Sequence, residues 1–287
     1  MVGRDSGART HNRGVAKAAW LWSRSWAEIR RGYDRRSAIT LVVFIVIAAS
    51  IGYHWSDLLD ANGEMDWLLA GIWVWLTAML TRHVSPRRDL LLVITGLAGG
   101  GVIEWWGTTT GLWSYFTLER PPLWILPAWP IAALSIDRMG QELDRGLAAV
   151  YGRRSPRRAL RAFRFGYWLI MPLFVVGMVS FLAPSLDKTS SQVVVVLMLV
   201  VTLHSPDPRR DLVLFFAGSF MGIFLEYWGT SRQCWTYYTH EIPPPIAIVA
   251  HGFAAVAFAR AAGLADQLSS ALFRRPLSQR QSRNAAW

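Results

Sequence analysis

The sequence predicts an all-α, polytopic membrane bundle of about eight transmembrane helices built as two parallel four-helix repeats. Three observations lead there. The 287 residues are 53% hydrophobic and only 17% charged, against roughly 25% charged in soluble domains. Eight apolar stretches are about 17 to 25 residues long, the length needed to cross a hydrocarbon core of roughly 30 Å. The segment from Arg87 to Pro122 also returns, 122 positions later, as Arg209 to Pro244, with 17 of 36 positions identical and no gap.

The eight expected spans are 38–55, 66–83, 89–106, 121–137, 165–183, 189–204, 211–228 and 244–263. The first reads Leu41 to Ala49 without a polar residue, and the sixth, Val193 to Thr202, is nearly all β-branched or Leu. If the connections alternate sides, 27 of the 30 Lys and Arg fall on one side and only Arg120, Lys188 and Arg232 on the other. The rich side is then the cytoplasm, with both termini inside, as expected for a bacterial-type cytoplasmic membrane. The division that follows is a basic arm over 1–37, a first repeat over 38–137, a basic cytoplasmic linker over 138–164, a second repeat over 165–265 and a basic tail over 266–287.

The net charge of +11 is accounted for by topology and by attraction to anionic lipid head groups. Nucleic acid is not an expected partner; membrane lipids are. The arm's basic stretch is too long for a cleavable secretory signal. Trp20, Trp22 and Trp26 between Arg and Ser suit either a helix lying in the head-group layer or a tether. A single cysteine, Cys234, excludes a disulfide framework and a cysteine-based zinc site.

Within the duplicated segment, Gly96 and Gly100, and again Gly218 and Gly222, have the four-residue spacing that lets helix backbones approach. Arg-Arg-Asp opens each helix. Near the far end stand Glu104 and Glu226, each after about fourteen uncharged residues. An ionisable group at membrane depth faces the bundle interior and marks a pathway or a reaction centre; the plainer alternative is a carboxyl that bonds the following loop. After Trp106-Gly107-Thr108 and Trp228-Gly229-Thr230 come Trp113-x-Tyr115 and Trp235-x-Tyr237, then Glu119 or Glu241 and Pro-Pro.

Two such loops on one outer face predict a cavity between the third, fourth, seventh and eighth helices. Glu104 and Glu226 would be proton donor and acceptor, assisted by Tyr115 and Tyr237. Trp106, Thr108, Trp113, Trp228, Thr230, Trp235 and the intramembrane His251 would bind substrate. Aromatic faces suit a carbocation or a polyene, and carboxylic acids supply and recover protons. The expected substrate is an apolar lipid or isoprenoid. His54, Asp57, Asp60, Glu64 and His240 share the outer side without a metal-ligand spacing, so no metal is expected. No Walker loop or dinucleotide turn is present, and no cofactor is called for.

The run Glu104-x-x-Gly107-Thr108-x-Thr110-Gly111, followed by Tyr115 and Pro122-Leu123, resembles the integral-membrane carotenoid biosynthesis family that includes carotenoid hydratases. Over these thirty or so residues the resemblance implies hydration or proton-initiated rearrangement of an isoprenoid double bond, with Glu104 as the acid. The second copy departs from it at Arg232 and Gln233. The alternatives are a carrier or lipid-handling protein whose repeats rock about a central axis, and a non-catalytic assembly factor for a membrane complex. A homo-oligomer is compatible with each.

Overall fold

The computed structural model describes residues 32–54, 67–151 and 156–273. Among these, eight helices run in chain order: α1 (Arg35–His54), α2 (Trp67–Leu80), α3 (Pro86–Thr110), α4 (Ala128–Tyr151), α5 (Pro156–Phe181), α6 (Thr189–Leu203), α7 (Pro208–Ser231) and α8 (Pro245–Phe273). Two short strands, β1 (Trp113–Tyr115) and β2 (Trp235–Tyr237), pair antiparallel as a ribbon.

Each expected span coincides with a helix, but the count of crossing helices is corrected. Among the described residues four helical stretches are long and apolar enough to cross a membrane: Pro86–Thr110, Leu160–Phe181, Pro208–Ser231 and Pro245–Leu272. They indicate an integral membrane protein. The 14 residues of α2 and the 15 of α6 reach only about 21 and 23 Å at about 1.5 Å per residue. The fourth expected span is delayed, because Pro121 and Pro122 are followed by a single 3-10 turn and α4 starts at Ala128. Its second half carries Asp137, Arg138, Glu142, Asp144 and Arg145, leaving too short an apolar stretch to cross. Residues 138–151 and 156–164, expected within the linker, are helical parts of α4 and α5. The arm as far as residue 31, with its three tryptophans, and Asp57, Asp60 and Glu64 lie outside the described residues.

Proline at the first turn of α3, α7 and α8 sacrifices no helical hydrogen bond. Asp207 caps α7 by accepting the Arg210 backbone N–H at 3.1 Å, and Asp89 closes the first turn of α3 by accepting from the Ser85 N–H at 3.0 Å. The core lies around α7, whose Leu212, Phe215, Ala217 and Met221 are buried against Tyr167, Met171 and Phe174 of α5 and Phe253 and Val256 of α8. Gly218 and Gly222 face the α8 backbone at His251–Gly252 and Ile248, where a Cβ would collide; Gly96 and Gly100 face Pro130 and Trp129 of α4 in the same way. These are the close approaches that small residues permit. The outward faces of α3, α5 and α7 expose Ile94, Val102, Leu169, Leu173, Phe220 and Ile223, an apolar exterior that suits lipid.

An ion pair with one buried partner, Arg138 or Asp211, sits at the start of each of the helices α3 and α7. Arg138, 2% exposed, donates to Asp89 at 2.6 Å and to the Arg82 carbonyl at 2.6 Å. Arg260, 122 positions on, pairs with Asp211 and donates to the His204 carbonyl at 2.7 Å.

Candidate functional site

The last turns of α3 place Glu104 inside the bundle, 4% exposed. The chain then turns at Gly111, whose φ of 78° is the left-handed conformation that glycine adopts freely. This turn folds Trp113 back across Gly107, where a Cβ would overlap the indole ring. Trp113 Nε1 then donates to Glu104 Oε2 at 3.0 Å, and the Tyr115 hydroxyl donates to the same oxygen at 2.9 Å. Thr108 donates to the Glu104 backbone carbonyl at 2.6 Å. The spacing of the motif is thereby explained: glycine makes room, tryptophan and tyrosine satisfy the buried acid, and threonine satisfies itself on its own helix.

The second copy repeats each contact. Trp235 crosses Gly229, and Trp235 Nε1 and the Tyr237 hydroxyl donate to Glu226 Oε2 at 3.1 and 3.0 Å. Thr230 donates to the Glu226 carbonyl at 2.7 Å, and Glu226 is also 4% exposed. The two loops meet in the ribbon, where Ser114 pairs with Thr236, the residue 122 positions on, and Trp113 and Tyr115 pair with Tyr237 and Trp235. Rings close across the join, Trp113 on Tyr237 and Tyr115 on Trp235, with centroids 6.0 Å apart in both cases.

The copies differ at the other carboxyl oxygen. Glu104 Oε1 accepts from Trp129 Nε1 at 3.1 Å, so both of its oxygens are engaged. At the matching position stands His251, whose Nδ1 lies 3.7 Å from Glu226 Oε1 and 3.1 Å from the Ala247 carbonyl. The Trp129 and His251 rings stack 5.9 Å apart at 9°, linking the two acids through one aromatic pair.

Of the residues expected to form the site, Glu104, Glu226, Tyr115, Tyr237, Trp113, Trp235, Thr108, Thr230 and His251 converge on this region. Trp106 turns instead to Ser191, donating to its hydroxyl at 3.0 Å, and contacts Trp113 edge-on. Trp228 meets Trp235 at 6.3 Å. The expected open cavity holding both acids is filled by the four ribbon rings. What remains is a cleft of about 160 Å³ that reaches Thr108, Trp113, Tyr115 and Tyr237 but neither glutamate, with Glu119 and His240 at its rim. Burial first, and then the neighbouring Glu104 or Glu226, hold the Tyr115 and Tyr237 phenols well above their usual range, so both remain hydrogen-bond donors at neutral pH.

Sequence reasoning missed Trp129 as a third donor. Its signal was its position opposite His251 at the repeat offset. Trp124, packed edge-on to Tyr115 at 5.3 Å, was also missed, and no spacing rule announces it. Among the described residues no group of three or more His, Cys, Asp or Glu is placed to hold a metal ion. No family model, curated protein or solved structure matches the chain.

Proposed function

We propose that this membrane protein modifies an isoprenoid or another apolar lipid by proton transfer at the ribbon end of the bundle. The observation that carries this reading is the hydrogen bond between a buried carboxyl and the hydroxyl of a tyrosine that lines the cleft, once in each copy: Glu104 with Tyr115 and Glu226 with Tyr237. In this reading a proton reaches the substrate double bond from Glu226 through Tyr237. The aromatic faces of Trp113 and Trp235 stabilise the positive charge that develops, and Glu104 recovers a proton through Tyr115 or directs the entry of water. A cleft of about 160 Å³ admits the end of a chain, with the rest lying in the bilayer. The sequence resemblance to the carotenoid hydratase-like family would imply Glu104 as the acid; the freer Oε1 of Glu226 favours the opposite assignment.

The architecture we propose is a parallel duplication about a local twofold axis, supported by the self-pairing of Ser114 with Thr236 and by the matched contacts of the two acids. The end bearing Arg87, Arg88, Arg209 and Arg210 would face the cytoplasm, together with both termini, as the positive-inside tendency requires. The ribbon would then lie at the outer face.

A second reading is favoured by a specific observation. Glu104 has a donor on each oxygen and the cleft is smaller than the roughly 300 Å³ at which ligand pockets begin, as expected if the clusters fasten the ribbon in a lipid-handling or assembly protein. Lipid mass spectrometry of an isoprenoid-producing host separates the two. A species gained with wild type and absent with the Glu104→Gln/Glu226→Gln and Tyr115→Phe/Tyr237→Phe variants supports the enzyme. An unchanged lipid profile with folded wild-type protein rejects it in favour of the second reading.

A further inference from the structure

At the end of the bundle opposite the ribbon, a cleft of about 390 Å³ opens between α4 and the start of α7. It is more than twice the size of the ribbon cleft and falls within the usual range of ligand pockets. Its carboxylates are engaged. Asp137 accepts from Arg88 on one oxygen and from Arg138 at 3.0 Å and Gln141 at 2.8 Å on the other. Asp144 holds Arg209 at 2.8 Å, and Asp207 accepts the Arg210 backbone N–H.

The donors are not all engaged. Arg209 Nε is buried with no hydrogen-bond partner. The Arg210 guanidinium has no ion-pair or hydrogen-bond partner among the described residues, and the duplication gives the reason. Arg88, its counterpart 122 positions earlier, is neutralised by Asp137, whereas the position 122 after Asp137 is Ala259. Arg210 therefore lacks, at the wall of this cleft, the carboxylate that holds Arg88.

We propose that this cleft binds a phosphate group, carried by a lipid head group or free in solution, with the exposed Arg210 guanidinium as its principal donor. A guanidinium fork matches the spacing of phosphate oxygens and can bind two of them at once. The proposal does not rest on the chemistry assigned to the ribbon end.

The test uses the full chain, purified and delipidated in detergent, titrated with phosphatidylglycerol by native mass spectrometry and separately with inorganic phosphate by thermal shift against chloride at equal ionic strength. Wild type takes up one equivalent of one or both probes. Arg210→Gln, at an exposed position, weakens binding on the order of tenfold, while Arg36→Gln, which removes an exposed charge outside the cleft, leaves it unchanged. Lipid retained against excess phosphate identifies the head group as the source; displacement by phosphate identifies the free anion. Failure of wild type to bind either probe, or equal weakening by Arg36→Gln and Arg210→Gln, overturns the proposal.

Discussion

Glutamine at position 104 is expected to cost more stability than glutamine at position 226, although the two acids occupy matching places. Glu104 Oε2 accepts from Trp113 and Tyr115, and Oε1 accepts from Trp129. A glutamine keeps its one oxygen on the Trp113 and Tyr115 side, since the reverse orientation would oppose two donors. Its amide nitrogen then meets the Trp129 N–H, leaving that indole and at least one amide hydrogen unsatisfied in a buried site. At about 1–3 kcal/mol for each buried unsatisfied group, the loss is about 2–6 kcal/mol. In Glu226→Gln the oxygen serves Trp235 and Tyr237, and Oε1 has no donor within hydrogen-bond distance because His251 Nδ1 is 3.7 Å away. Only the new amide hydrogens are left unmet, about 1–3 kcal/mol. Equilibrium unfolding of each variant in mixed micelles measures the difference. Trp129→Phe in the Glu104→Gln background should recover about 1–3 kcal/mol relative to additivity, since it removes the opposed donor. Equal losses at the two positions, or strict additivity of Glu104→Gln with Trp129→Phe, would refute the geometric argument.

Three further outcomes are expected from the same unfolding measurement. Gly218→Ala would drive a methyl into the α8 backbone at Gly252 and lower stability by about 1–3 kcal/mol or more, whereas Gly71→Ala, with open space around it in α2, should raise stability by up to about 1 kcal/mol. Arg138→Met leaves Asp89 without its cation and Asp137 with Arg88 alone and should cost about 3–5 kcal/mol, with Asp89→Asn in the same chain restoring part of it. The raised Tyr115 and Tyr237 phenols contribute stability that is present below the unfolded phenol's pKa of about 10 and lost as pH rises past it. Phenylalanine at either position should therefore flatten the alkaline loss by up to about 1.4 kcal/mol per pH unit, and an unchanged slope would contradict the burial of the phenol.

The positions of the helices could be read from the sequence because long apolar runs leave few other structures for a backbone without water. The number of crossings could not, since a hydropathy window records apolar content and not where a helix begins. Pro121 and Pro122 delay α4 until Ala128, and Asp137 and Arg138 follow within three turns. At the site, the duplicated Glu, Trp, Gly, Thr, Trp and Tyr were legible as one cluster, and they do converge except for Trp106, which bonds Ser191. Their use was not. Whether an indole lines a cavity or folds back to satisfy an acid depends on the turn at Gly111 and the missing Cβ of Gly107, a three-dimensional arrangement that spacing alone does not encode. Trp129 was the hardest to see, being 25 residues from Glu104 in sequence and brought to it only by the packing of α4 on the glycines of α3.

Matched contacts and broken ones carry different information where a sequence segment recurs. The acid clusters, the ribbon, and the Asp89–Arg138 and Asp211–Arg260 pairs recur in both copies, and each satisfies groups that would otherwise be buried without partners. Those contacts stabilise the bundle in both copies of the motif. The substitutions between α4 and α8 are not explained in that way. Trp129 to His251 replaces an indole whose N–H bonds Glu104 with an imidazole whose Nδ1 lies 3.7 Å from Glu226 Oε1. Asp137 to Ala259 removes a carboxylate and leaves Arg210 unneutralised at the wall of the larger cleft. One change lies near the ribbon and the other near the opposite end, and each leaves a polar group without the partner that its counterpart 122 positions earlier has. If the chain does more than maintain its own fold, these two positions are where the repeat itself directs the first substitutions.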